Sequence, residues 1–357
     1  MIHQTVENIS EQYLRVKMSE IKREARSALS GMPCRYCNES GSLCKSHSVP
    51  KSFLTHITGE GHVRIFNSLT EIMGIDTEEG IKNAGTFRLI CSKCDGTIFH
   101  TYESEDNYDR NLPSQTILAE IAMKNYLQLI YKRLIEQDVQ KRMRKVGLIY
   151  YLEEKASFDV CSHDLKTYIS FFEKAKSRAK DETSTAYEVI FYKMLDYIVP
   201  LAAQTSIALR FDFMRNQICD VYSSDPKYEI WEVHLCIFPF KNSSIVLLFI
   251  DKEGISQYQS FINQFNTYSE LERLAIINYI LFLYSENIFI SKTLPDEIIQ
   301  SPALKKVAGT GIYDIIDRSP FNFLKTDSDI RRDDMIKYDL QKFNSIPNLL
   351  DEKYKIT

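Results

Sequence analysis

The chain reads Cys34-Arg-Tyr-Cys37, then Cys44-Lys-Ser-His47-Ser-Val-Pro50, and further on Cys91-Ser-Lys-Cys94-Asp95. Two Cys-x-x-Cys pairs supply four thiolates, the number that a closed tetrahedral zinc site requires. Each short turn can place both of its sulfurs on one metal ion. We therefore predict a structural Zn²⁺ site, with Cys44 as an alternative ligand. The predicted ligands are Cys34, Cys37, Cys91 and Cys94.

The size of the chain indicates more than one structural part. At 357 residues it exceeds the usual size of one core, which predicts two domains, or one domain with a small metal-stabilised module. A hydrophobic fraction of 44% and a charged fraction of 26% are typical of a soluble globular protein. The net charge of -4 argues against a wholly basic nucleic-acid coat but allows a local basic surface.

The cysteine content and the first residues indicate the cellular compartment. The chain has 8 cysteines, and its first residues, Met1 to Asn8, form no apolar leader. A reducing cytoplasm is therefore expected rather than secretion with disulfides. The apolar run from Ile276 to Phe289 is interrupted by polar residues and is shorter than the roughly 20 residues of a membrane span, so no membrane partner is predicted.

The first 112 residues are expected to form a helix and a small module. Apolar residues recur at helical spacing, which predicts an amphipathic helix over Ser10–Ser30 within segment 1–32, ended by Gly31 and Pro33. They are Leu14, Met18, Ile21, Ala25 and Leu29. Segment 33–112 is the predicted zinc module. Its strand candidates are Leu43–Val49, Val63–Phe66 and Thr86–Ile90, followed by a short helix after Cys94.

Segment 113–357 is expected to form a larger α+β domain. Helices are predicted over 113–202, including Thr185–Leu201, antiparallel strands over 205–251, and helices over 255–345 that end in a loose tail. Capping boxes at Ser256 and Ser269 would begin two of the helices. The strand candidates are Ser206–Phe213, Gln217–Tyr222, Tyr228–Phe238 and Ser244–Ile250. The predicted fold class is α+β, a small zinc module followed by helices around an antiparallel sheet.

The motif order resembles a known family. Cys-x-x-Cys, then Ser46-His47-x-x-Pro50-Lys51, then Cys-x-x-Cys followed by an acid is similar to a divergent HNH endonuclease, over about residues 33–105. The resemblance implies a ββα-metal or treble-clef module that hydrolyses phosphodiester bonds, with DNA favoured over RNA. By analogy, such a nuclease with a large companion domain fits prokaryotic antiviral defence or a mobile element.

The resemblance also implies roles for individual residues. His47 matches the general base that activates water, and a catalytic Mg²⁺ or Mn²⁺ would stabilise the leaving oxyanion. Asp95, His100 and Glu103 are the candidate ligands of that ion. On a helix that begins near Asp95, this residue and Glu103 would share one face, with His100 on its flank.

Two helices carry many basic residues that would bind phosphates. Either cluster could equally be a solvated helix face. Nucleic acid is the predicted partner, and a protein activator or partner could bind the C-terminal domain. The first cluster is Arg15, Lys17, Lys22, Arg23 and Arg26, and the second is Lys132, Arg133, Lys141, Arg142, Arg144 and Lys145.

Two alternatives stay open. Ser46 stands where the family usually has an acidic residue or a histidine, and no asparagine is well placed before the second cysteine pair. The chain could therefore be a non-catalytic zinc module that binds nucleic acid or a protein partner. It could also carry a purely structural zinc site beside an unrelated function located after Pro113.

Overall fold

Helices and an antiparallel sheet share the chain, so the predicted α+β class is confirmed. The computed structural model describes residues 2–65, 77–146, 151–221, 223, 225, 227–310 and 327–356; side chains are described from residue 16 onward, except those of 77, 151–160 and 327–330. Its helices include α1 (Ile2–Leu29), α2 (Lys51–Thr55), α3 (Ser92–Ile98), α4 (Gln115–Lys145), α5 (Tyr151–Arg178), α6 (Ile255–Phe265), α7 (Glu270–Tyr284), α8 (Asp296–Ile299), α9 (Pro302–Ala308) and α10 (Asp327–Lys337). Its strands include β1 (Ser46–His47), β2 (His62–Ile65), β3 (Thr77–Gly80), β4 (Thr86–Phe87), β5 (Tyr187–Leu195), β6 (Leu201–Ile207), β7 (Val233–Pro239), β8 (Ser244–Asp251) and β9 (Ile288–Ile290).

The chain divides into two compact units, each assembled from three separate segments. The cysteine unit comprises residues 1–46, 87–98 and 126–173. The sheet unit comprises residues 47–86, 99–125 and 174–357. The predicted segments 1–32, 33–112 and 113–357 are consecutive, whereas these units interleave along the chain.

The cysteine unit contains α1, α3 and parts of α4 and α5. Ile21, Ala25 and Leu29 of α1 are buried, so this part of the predicted apolar face is confirmed. The predicted Leu14 lies outside the side chains that the structure describes. The helix ends at Leu29, because Gly31 and Pro33 follow closely.

The sheet unit is built on seven antiparallel strands in the order β3-β2-β9-β6-β7-β8-β5. β7 and β8, which overlap two predicted strands, are buried at every position, and β7 ends at Pro239. β2 and β3 come from the predicted zinc module and join the same sheet, with Arg64 opposite Ile290 and Ile65 opposite Phe289. Part of that module is therefore built into the larger sheet.

The predicted helix over Thr185–Leu201 is wrong, because this stretch contains strand β5 and the start of β6. A bulge at Ile190 shifts the register between Val189 and Phe191, so the side chains on either side of it face opposite sides of the sheet. Tyr187 packs on Phe249, while Phe191 packs on Phe265 of α6. The buried positions consequently recur every fourth residue, which is also the spacing of a helix.

Three of the predicted strands are also wrong in extent. Tyr228–Phe238 begins only at Val233 as β7, and the described residues of Gln217–Tyr222 contribute only an isolated bridge at Gln217. β6 ends at Ile207, and the stretch predicted as Ser206–Phe213 continues without strand pairing apart from one bridge between Phe211 and Gln217. Asp212 explains this irregular path. It accepts hydrogen bonds from the N–H groups of Met214 and Asn216, which closes a turn in place of a strand.

The two predicted capping boxes have different outcomes. Ser269 caps α7 through a complete capping box with Glu272, so that prediction is confirmed. Ser256 does not cap α6, which begins at Ile255 after Gly254. A Cβ atom at Gly254 would lie 2.4 Å from the ring of Trp231, so close packing fixes the start of this helix.

The predicted loose C-terminal tail is wrong. Leu349 and Leu350 are fully buried, and the N–H of Ile356 donates to the carbonyl oxygen of Ile198 at 2.9 Å. Among the described residues, no helix combines the length and the apolar composition needed to cross a membrane.

Candidate metal centre and the His47 turn

Two short backbone motifs bring the four cysteines together. At the first pair, the N–H of Asn38 donates to the carbonyl oxygen of Cys34 at 2.8 Å, and Asn38 adopts a left-handed conformation with φ of 60°. At the second pair, Cys91 bridges to Leu43, and Cys94 lies in the first turns of α3. Each Cys-x-x-Cys pair therefore closes a tight turn with both sulfurs on one side.

The four sulfur atoms have the spacing of a metal centre. All lie within 4.8 Å of one another, and Cys37 Sγ is 4.0 Å from Cys91 Sγ. A tetrahedral zinc ion with Zn–S bonds of about 2.3 Å holds each pair of sulfurs about 3.8 Å apart. Small side-chain movements would complete this geometry, so the cluster could hold a metal ion such as zinc.

The electrostatics of the cluster favour thiolate ligands at Cys34. Burial by itself raises the pKa of this thiol, but backbone N–H groups directed at its sulfur outweigh burial and lower the pKa to about 7. One of these donors is the N–H of Cys91, at 3.3 Å. Burial and the neighbouring thiols raise the pKa of Cys94 instead. Metal binding at the cluster would therefore release protons.

The other cysteines stand apart from this group. Cys44, the predicted alternative ligand, is not one of the four clustered sulfurs. Cys161, Cys219 and Cys236 are buried thiols, as their apolar sequence contexts predict. All eight cysteines are free of disulfide bonds.

His47 lies at the end of β1, and its imidazole is half-buried. Its Nε2 atom lies 2.8 Å from the carbonyl oxygen of Ile81. Because a carbonyl oxygen only accepts hydrogen bonds, Nε2 carries the proton in this contact. In the neutral ring, Nδ1 is then the basic nitrogen.

Asp95 lies in α3, and its Oδ1 accepts a hydrogen bond from Ser46 Oγ at 2.7 Å. Ser46 is fully buried and immediately precedes His47. The structure therefore joins the residue before His47 to the helix that carries Cys94. From the sequence alone, Ser46 is only a departure from the family pattern.

The predicted helical face of Asp95 and Glu103 is wrong, because α3 spans Ser92–Ile98 and Glu103 lies in the turns beyond it. The N–H of Tyr102 donates to Glu120 Oε2 at 2.9 Å, where a continuing helix would direct it to the carbonyl oxygen of Ile98. Burial raises the pKa of Glu120.

In the described part of the chain, the candidate ligands His100 and Glu103 do not belong to a cluster of three or more potential metal ligands. His100 is exposed, and Glu103 is half-buried beside Lys124, with Oε1 at 3.5 Å from Nζ. Lys124 is 1% exposed and stacks 3.9 Å from the centre of the Phe99 ring. Within the described part of the chain, only the four cysteines form a group of three or more such ligands.

Part of the predicted basic surface is neutralised. Arg133 pairs with Glu136 at 2.5 Å and with Asp164 at 2.9 Å. Arg142 pairs with Asp138 at 2.5 Å and also with Glu24. These two guanidinium groups mainly connect helices of the cysteine unit, so the predicted phosphate binding would depend on the other members of this cluster.

Sequence reasoning missed the buried Lys124 and its neighbour Asn125, whose amide nitrogen lies 3.1 Å from Nδ1 of the buried His234. A signal was present, because these two polar residues interrupt a long apolar stretch of α4.

Comparisons with protein-family models, with curated proteins and with solved structures give no match for this chain.

Proposed function

We propose that the chain is a metal-dependent endonuclease of the HNH type that hydrolyses phosphodiester bonds in nucleic acid, with DNA favoured over RNA. The observation that carries this proposal is the contact between His47 Nε2 and the Ile81 carbonyl oxygen. It fixes the ring in the tautomer in which Nδ1 can accept a proton. The motif that resembles the HNH family places its general base at this same histidine.

In the proposed reaction, His47 Nδ1 takes a proton from a water molecule while the water oxygen forms a bond to phosphorus. The bond from phosphorus to the leaving sugar oxygen breaks, and that oxygen is protonated by solvent. A bound Mg²⁺ or Mn²⁺ would neutralise the charge that develops on the phosphate. Asp95, His100 and Glu103 stay the candidate ligands of that ion, and of these Glu103 already compensates the charge of Lys124.

We also propose that the four cysteines bind a structural zinc ion. The sulfur spacing and the lowered pKa of Cys34 support this assignment. Zinc–thiolate bonding fits a reducing compartment, and the cytoplasm is the proposed location. A protein activator that binds the C-terminal region stays a prediction.

The distribution of charge supports a phosphate-bearing partner. The cysteine unit has 17 Lys and Arg residues against 13 Asp and Glu, whereas the sheet unit has 27 against 35. The basic excess therefore belongs to the unit that carries the four cysteines. A locally basic unit attracts nucleic acid even though the whole chain is acidic.

A second candidate is a zinc module that binds nucleic acid without cleaving it. Two contacts favour it: Ser46 uses its hydroxyl to hold Asp95, and Glu103 faces Lys124. Both carboxylates therefore already have partners within the protein. This candidate predicts binding that weakens with salt and no strand scission with any divalent ion.

The test is cleavage of plasmid DNA and of RNA by the full chain with Mg²⁺, Mn²⁺ or EDTA. His47→Ala is compared with His62→Ala, which removes an exposed histidine from β2. Zinc content is measured in all three proteins and must be equal. We expect divalent-dependent cutting by the wild type and by His62→Ala, and none by His47→Ala.

Equal cutting by the His47→Ala protein would refute the assignment of the base. Salt-sensitive binding without cutting by the wild type would favour the second candidate instead.

A further inference from the structure

A side-chain bridge joins the His47 turn, residues 47–50, to the seven-stranded sheet. Ser48 Oγ donates to Asn287 Oδ1 at 2.8 Å, and Asn287 Nδ2 donates to the carbonyl oxygen of Gln204 at 2.6 Å. Gln204 lies in β6, and Asn287 immediately precedes β9. The residue that follows His47 is therefore bonded, through one amide, to the middle of the sheet.

The same bridge supports the partner of the imidazole. The Ser48 N–H donates to the Gly85 carbonyl oxygen at 3.0 Å, so Ser48 also holds the 81–85 turn, which carries the carbonyl of Ile81. This turn is tight, because the N–H of Ala84 donates back to Gly80 at 3.1 Å. Ser48 thus contacts both the Asn287 amide and the segment that orients His47.

Packing fixes the rest of this segment. The ring of Phe53 in α2 contacts those of Phe238 and Phe240, at centroid distances of 4.8 and 5.2 Å. Further along, His56 Nε2 lies 2.5 Å from Glu105 Oε1. The segment that begins at His47 is consequently held against the rest of the sheet unit along its length, with Ser48 as the attachment nearest to the imidazole.

We propose that Asn287 is a positioning residue for His47. This inference rests on the proposed function, because it concerns the orientation of the proposed base. The bridge needs a side chain that accepts from a hydroxyl and donates to a carbonyl at the same time, which a carboxamide does and an alanine or a carboxylate does not. Asn287 therefore transmits the position of β6 to the His47 turn.

The test compares Asn287→Ala with Asn278→Ala in the full chain. Asn278 is a matched control, because it is a fully buried asparagine of the sheet unit that also bridges two groups, the Pro347 carbonyl and the Leu349 N–H. Its bridge leads to the C-terminal segment and not to the His47 turn. Both variants are studied at a temperature where circular dichroism shows them folded.

The first readout is the ¹⁵N spectrum of the His47 imidazole, assigned by its loss in the His47→Ala protein. We expect the Nε2–H tautomer in the wild type and in Asn278→Ala, and a mixture of tautomers in Asn287→Ala. The second readout is cleavage, where we expect Asn287→Ala to lower kcat about tenfold or more while KM changes little. Ser48→Ala should have a similar effect, and the Ser48→Ala/Asn287→Ala double variant should lose little more than either single one.

A wild-type His47 spectrum in the folded Asn287→Ala protein would overturn the inference, as would equal effects of the two asparagine variants on that spectrum. The spectrum does not depend on activity. A protein that cuts no nucleic acid yet shows the expected change at His47 would refute the proposed function alone and support the structural link.

Discussion

Replacing Gly85 by alanine should destabilise the sheet unit strongly. Gly85 has φ of +63°, and a Cβ atom there would lie 2.4 Å from Phe289 Cζ and 2.5 Å from Ser48 Oγ. The left-handed backbone costs an alanine about 1–2 kcal/mol. Overpacking against two nearly buried neighbours adds about 1–3 kcal/mol. We therefore expect the free energy of unfolding to fall by about 2–5 kcal/mol.

Gly61→Ala separates the two causes of this loss. Gly61 also has a positive φ, of +75°, but a Cβ atom there would meet no other atom within 4 Å. Its substitution should therefore cost only the backbone term, about 1–2 kcal/mol. The difference between the two variants measures the close contact at Gly85.

Urea unfolding followed by tryptophan fluorescence suits this comparison, because Trp231 is the only tryptophan and lies nearly buried in the sheet unit. Losses of equal size for Gly85→Ala and Gly61→Ala would refute the reasoning. In that case Phe289 and Ser48 would move aside without cost, and the tight packing beside the His47 turn would carry no energetic weight.

Metal analysis and pH titration test two further features. Atomic emission should find one zinc ion per chain in the wild type and in Cys44→Ser, but much less zinc in Cys37→Ser. The reason is that Cys37 belongs to the cluster and Cys44 does not. Equal loss of zinc in both variants would contradict the ligand assignment. Burial lowers the pKa of His234 from 6.5 to about 3. Between pH 6.5 and pH 3 the unfolded chain therefore binds a proton at this residue that the folded protein does not. The free energy of unfolding consequently falls as the pH falls through this range. Urea unfolding should show this loss, about 1.4 kcal/mol per pH unit, in the wild type and not in His234→Leu. If the free energy of unfolding changes with pH equally in the two proteins, His234 is not the source of the loss.

Patterns of short range were predicted correctly from the sequence. The spacing of the cysteine pairs, the stop of α1 before Gly31 and the capping box at Ser269 each depend on residues within one turn of one another. Residues close together in the sequence determine such turns and caps. The α+β class followed from the same kind of pattern.

Apart from the grouping of the two cysteine pairs, features that depend on distant partners were not predicted. Nothing in Val63 to Ile65 indicates pairing with β9, which lies more than two hundred residues further along the chain. The bulge at Ile190 gives β5 the spacing of a helix, and only its pairing with β8 reveals the strand. The bridge from Ser48 through Asn287 likewise becomes visible only when the sheet is assembled.

Because the two units interleave along the chain, they cannot be separated by truncating the gene or by recombination at a single point. The chain passes from one unit to the other five times, between residues 46 and 47 first and between 173 and 174 last. Every contiguous gene fragment that encodes one unit in full therefore also encodes parts of the other. Recombination that transferred the cysteine pairs as one block would also carry strands of the sheet, and a fragment that ends at residue 173 would keep the whole cysteine unit together with two pieces of the sheet unit.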